Sequence, residues 1–150
     1  MNSTIETLNR IKLDETRLFI IQKEIARLET SATSITPAYG GEVVSGSRNL
    51  DKLGDIVSEI ADLRKSHHEL LRRRNYYLSV INRIGEVVDD AHEAARQIDV
   101  LYKRYFEYMD FKEIASEMHF GKRTIEYIHG RALQSVEKLL EVSERVDAQS

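Results

Sequence analysis

Apolar residues recur along this chain at helical spacing, and in one stretch with the regularity of a coiled coil. From Leu50 to Val88, one seam position is held by Leu53, Ile60, His67, Arg74, Ile81 and Val88, and the other by Ile56, Leu63, Leu70, Tyr77 and Ile84. Eleven positions alternate in steps of three and four without a slip, and nine are apolar or aromatic. A repeat this long predicts a helix of about 55 Å packed along one stripe. Upstream, Ser3 and Glu6 stand at capping-box spacing, and Ile11, Leu18 and Ile25 recur every seven residues beside Ile21 and Leu28. A first helix is predicted from about Ser3 to Leu28. It folds back on the second as an antiparallel hairpin, and the uncovered remainder of the seam takes a partner chain. The oligomerisation seam is then Leu53, Ile56, Ile60, Leu63, His67, Leu70, Arg74, Tyr77 and Ile81. His67 and Arg74 are its polar interruptions, residues that fix register and oligomeric state at a cost in stability. A metal at His67 and His68 is a poor reading, because adjacent helical side chains point about 100° apart.

Between these helices Thr30 to Asn49 reads TSATSITPAYGGEVVSGSRN, with the only Pro and three of the seven Gly. Its composition predicts a loop of about twenty residues, longer than a compact domain usually carries. The periodicity then changes. Asp90 to Tyr108 is predicted as an amphipathic helix with Ile98, Leu101, Tyr102 and Tyr105 on its apolar face. Asp110 and Glu113 form a second capping box, and Phe111, Ile114, Ala115 and Met118 make the buried side of a short helix. His119, Phe120 and Gly121 make a three-residue turn, after which a longer helix starts near Lys122 with Ile125, Ile128 and Ala132 inward. Short helix, tight turn and longer helix is the helix-turn-helix pattern. The expected fold is all-α, with a hairpin or coiled-coil region over residues 1–88 and a helix-turn-helix domain over 89–150.

Composition narrows the function classes. A chain of 150 residues has room for one domain or two small ones, and its single Pro leaves the helices uninterrupted. Without Cys there is no thiolate nucleophile, disulfide or Cys-type zinc site. No Ser/His/Asp set, Gly-rich phosphate loop or paired carboxylates at useful spacing appears, so neither an enzyme nor a bound cofactor or metal is expected. Met1 to Arg10 lacks the apolar core of a signal peptide, and no apolar run reaches the roughly 20 residues of a membrane span. A cytoplasmic protein is the expectation. Net charge is −3, and the residues from Asp89 onward hold 9 basic against 13 acidic side chains. Any nucleic-acid contact must therefore come from a local patch.

That patch lies at the start of the last helix. With Ile125 and Ile128 inward, the outward face holds Lys122, Arg123, Glu126, Tyr127 and Arg131. Arg123 suits a guanine edge and Glu126 a cytosine amino group, while Lys122, Thr124 and the helix N-terminus suit phosphate. The plain alternative is that Lys122 and Arg123 are solvated and Glu126 pairs along the helix. A second basic cluster, RKSHHELLRRR from Arg64 to Arg74, carries net +4. Its arginines fan around the axis, which fits a solvated coiled-coil face; the sharper reading adds Arg72 and Arg73, with Lys112, as auxiliary phosphate contacts. Most tyrosines fall on apolar faces and read as core, Tyr127 excepted.

Leu101 to Phe106 (LYKRYF), Phe111 to Ala115 (FKEIA) and Lys122 to Ile125 (KRTI) together resemble region 4 of bacterial sigma factors. The ending Ile128 to Leu133 (IHGRAL), and ATSITP from Ala32 to Pro37 ahead of a long charged helix, are similar to small sigma-region-4-like regulators of Gram-positive prophages and mobile islands, some of which activate late operons. The resemblance implies a sequence-specific regulator that binds double-stranded promoter or operator DNA, with RNA polymerase as a further partner; the heptads of the long helix supply the means for a homodimer to place two modules on two half-sites. Two positions depart from the sigma pattern. His119 stands where Gly is usual, at a position that tends to need positive φ, and Gly121 replaces the usual Ser or Thr N-cap. Two other readings stand beside this one: a module that docks on polymerase or another phage protein without reading DNA, and a small terminase-like packaging protein. The latter usually places its DNA module first, whereas here it comes last.

Overall fold

A computed structural model describes residues 2–35 and 46–149. The chain is all-α: among the described residues there are five α-helices, one 3-10 turn and no strand. Helix α1 spans Asn2–Ile35, α2 Gly46–Asn82, α3 Ala91–Tyr105, α4 Phe111–Met118 and α5 Lys122–Gln149, with the 3-10 turn at Ile84–Glu86. Two compact units emerge, one of Asp14–Arg73 and the other of Met1–Leu13 with Arg74–Ser150.

In the first unit, α1 and α2 lie antiparallel. Asp14 meets Arg73, Gln22 Nε2 lies 3.2 Å from His67 Nε2, and Glu29 Oε1 accepts from Arg64 Nη2 at 2.7 Å. The partner number falls along α2 as the number rises along α1, which defines the predicted hairpin. Leu18, Leu28 and Leu70 are buried, and Leu53, Ile56, Ile60, Leu63 and His67 are half-buried. The first helix is longer than predicted. Residues 30–35 are helical, and so are 46–49, so both ends of the expected loop belong to helices. The middle of that loop lies outside the described residues. The physical reason is that its hydroxyls turn back into the helix: Thr30 donates to the Ala26 carbonyl at 2.9 Å, Thr33 to Glu29 at 2.8 Å and Ser34 to Ser31 at 2.9 Å. Thr and Ser accept a helix when they can satisfy themselves this way.

In the second unit, Leu8, Ile11, Val80, Ile81, Ile84, Leu101, Ala132 and Val136 build one core. Val100, Ile114, Ala115, Ile125 and Ile128 build another, flanked by Met109, Phe111 and Met118. The predicted helix to Val88 stops at Asn82. Asn82 and Gly85 are weak helix formers, the Arg83 amide bonds the Val80 carbonyl three residues back, and Ile84 is fully buried in the resulting turn. The heptad position at Ile84 is thus buried, but in a different element.

Candidate nucleic-acid interface

The site is assembled by α3, α4 and α5 around the smaller core. Asp110 caps α4 as expected: its carboxylate accepts from the Glu113 amide at 2.8 Å, and Glu113 reaches back to the Asp110 amide. Ile114 and Ala115 are buried, and Phe111 and Met118 are half-buried beside them. The helix ends at His119, which adopts φ 60° and ψ 40°. The amides of His119 and Phe120 both reach the Ala115 carbonyl, the latter at 3.0 Å. This left-handed closure satisfies the last carbonyls of α4 and turns the chain into α5 within three residues. Gly121 supplies only its carbonyl, which accepts from the Ile125 amide at 3.1 Å.

Further ties set α3 against its neighbours. Lys103 is nearly buried and bridges Asp99 at 3.1 Å and Glu117 of α4 at 3.0 Å; both hydrogen bonds, Glu117's first, raise its pKa. Arg104 donates to the Met109 carbonyl at 3.2 Å and lies 4.5 Å from the centre of the Phe111 ring. His129 of α5 shares a 2.8 Å hydrogen bond with the Tyr105 hydroxyl, stacks on that ring, and meets Phe111 edge-on at 4.9 Å. Burial, reinforced by the Arg104 charge, lowers the His129 pKa to about 4, and burial raises that of Tyr105. A neutral imidazole therefore joins α3, α4 and α5.

On this scaffold Lys122, Arg123, Thr124, Glu126 and Tyr127 are all exposed, Tyr127 at 63%, while Ile125 and Ile128 are buried. The predicted inward and outward faces of α5 are thus those observed. Four of the outward residues are engaged, in two pairs. Lys122 Nζ sits 3.8 Å from Glu126 Oε1, the pairing along the helix that the plain alternative foresaw. Arg131 is held more firmly: it donates to the Tyr127 hydroxyl at 3.0 Å and pairs with Glu93 of α3 at 2.7 Å, and Tyr127 and Glu93 together raise its pKa. Arg123 is exposed and makes no ion pair among the described residues.

Sequence reasoning missed what anchors Arg131. Gln97 is 1% exposed; its amide donates to Glu93 at 3.2 Å and its oxygen accepts from the buried Ser135 hydroxyl at 2.7 Å. Tyr127, Arg131, Glu93, Gln97 and Ser135 form one polar chain, and all of these but Tyr127 line a cleft of about 270 Å³. The i, i+4 spacings of Glu93 with Gln97 and of Arg131 with Ser135 were the available signals. Conversely, Tyr102 was expected on the apolar face and is 39% exposed, stacking on Phe106 instead, while the inward place falls to Gln97. Of the auxiliary phosphate candidates, Lys112 and Arg72 are exposed, and Arg73 is committed to Asp14. In this same unit Arg74 lies 5.1 Å from the centre of the Phe106 ring, Tyr77 is half-buried and Ile81 buried. No helix of the described residues is long and apolar enough to cross a membrane, and none of their His, Asp and Glu side chains gather as three around a point fit for a metal ion. Comparison with protein-family models, curated proteins and solved structures finds no match.

Proposed function

We propose that this protein is a sequence-specific DNA-binding transcriptional regulator of the phage or mobile-element type, whose α4–turn–α5 segment acts as a sigma-region-4-like helix-turn-helix. The observation that carries the reading is the start of α5. Lys122, Arg123 and Thr124 are all exposed around the first turn of α5, at a helix end that a left-handed turn and a capping box hold against a buried core. In a major groove Arg123 addresses a guanine edge, Glu126 a cytosine amino group, and Lys122 and Thr124 the flanking phosphates. Arg131 serves this face as an anchor: its bond to Tyr127 and its pair with Glu93 hold Tyr127 in place. A gel shift against DNA upstream of the neighbouring operon tests the reading. Arg123→Ala is expected to abolish the specific shift while leaving the fold intact, and wild-type affinity in that variant would sink it.

A second reading has its own support. Phe120 at the turn is 38% exposed and Tyr127 of α5 63%, and the chain from Asp89 carries net −4. Exposed aromatics on an acidic module suit docking on a protein such as RNA polymerase. Absence of a specific shift at low salt, with retention on immobilised polymerase, would favour it.

A further inference from the structure

The seam residues of α2 from Leu53 to Leu70 are half-buried or buried within the hairpin, so another surface of the helix offers a partner chain more room. One is present on the same helix. Leu50, Gly54, Val57, Ala61, Arg64, His68 and Leu71 follow one another in steps of four and three, and all seven are exposed. Leu50 is 66% and Val57 57% exposed, and a methyl placed on Gly54 would meet nothing within 4 Å. This is a second heptad stripe, rotated away from the first. From Asp51 to Asp62 the helix bears four acids and Lys52, net −3; from Arg64 to Arg73 it bears four cations and Glu69, net +3, of which Arg64 and Arg73 are paired with Glu29 and Asp14 of α1 while Lys65 and Arg72 are exposed. Such a surface is complementary to its own copy when the two run antiparallel, the arrangement a two-fold axis produces.

We infer that a second copy of this chain docks antiparallel on this stripe of α2, about an axis midway between Ala61 and Arg64. In that register the partner's Leu71 sits over Gly54, where there is room for it. The partner's Arg72 lies beside Asp51, and the partner's His68 beside Val57. The contact repeats on the other side of the axis, as an isologous interface requires. A parallel pairing instead sets acid against acid and base against base, at a cost. This assignment stands whether or not α5 reads DNA, because the surface and its test involve no nucleic acid.

The chain has no Cys, so single-cysteine variants of the full-length protein report the geometry directly. Sedimentation equilibrium is expected to give a dimer. With a short bis-maleimide, Ala61→Cys is expected to yield a covalent dimer and Leu50→Cys none, since antiparallel Leu50 positions lie about 35 Å apart along the axis. Asp51→Arg is expected to weaken dimerisation about tenfold. Adding Arg72→Asp is expected to restore it, a rescue that a mere folding defect would not show. A monomeric wild-type mass overturns the proposal, as does cross-linking of Leu50→Cys as efficient as that of Ala61→Cys, which marks a parallel pair.

Discussion

His119 holds its backbone in the left-handed region, where a β-carbon is strained and Gly is not. His119→Gly should therefore raise stability by about 0.5–1 kcal/mol, read as a higher midpoint in urea at unchanged slope. No gain would show that the imidazole itself holds the turn. The demand for positive φ was legible in the sequence, because three residues between two helices leave few ways to turn. The role of His129 was not, since it depends on Tyr105, which lies 24 positions earlier. Its folded pKa of about 4 lies below the unfolded value of 6.5. The unfolded chain thus binds the extra proton between these values. The contribution is full above pH 6.5 and lost as pH falls toward 4. Lowering pH from 7 to 5 should remove about 2 kcal/mol of stability from this unit. His129→Gln should abolish most of that dependence; an equally acid-sensitive variant would place it elsewhere.

Among the elements, the hairpin shows how far periodicity carries and where it stops. Its two helices and antiparallel sense follow from heptads, because a half-apolar helix must bury its stripe. The partner of each polar seam residue does not follow. Asp14 falls between Ile11 and Leu18, where an apolar residue is expected, and is fully buried. It accepts both arms of the Arg73 guanidinium at 2.7 and 2.5 Å, so the arginine that reads as a phosphate ligand is a structural partner. Asp14→Ala should destabilise the hairpin by about 2–3 kcal/mol, the half-exposed arginine limiting the loss. The double variant Asp14→Leu with Arg73→Leu should recover most of it. Recovery in thermal melts together with new oligomeric species would show that the pair sets register; no recovery would show that Arg73 has other work in the hairpin. The misread ends of the loop have a similar cause. Ser and Thr signal turns by composition, yet here their hydroxyls close onto carbonyls of the preceding turn.

At the scale of the molecule, an acidic protein that binds DNA must do so with few phosphates, and the salt dependence of binding counts them. With Arg123 on a base edge and Arg131 paired with Glu93, the exposed cations of α4 and of the first turn of α5 left for phosphate are Lys112 and Lys122. Each neutralised phosphate contributes about −0.9 to the slope of log K against log salt. One module should then give a slope of roughly −2, and two modules on adjoining half-sites roughly −4. Two phosphate contacts supply little affinity on their own, so a single module should bind weakly and a pair of modules should carry operator recognition. Asp51→Arg separates the terms: it leaves the α4–α5 surface intact, so binding to one half-site should persist while the slope on a full site falls from about −4 toward −2. A slope near zero for the wild type would leave the cations of α5 solvated. The acidic surface would then be the face presented to a protein partner.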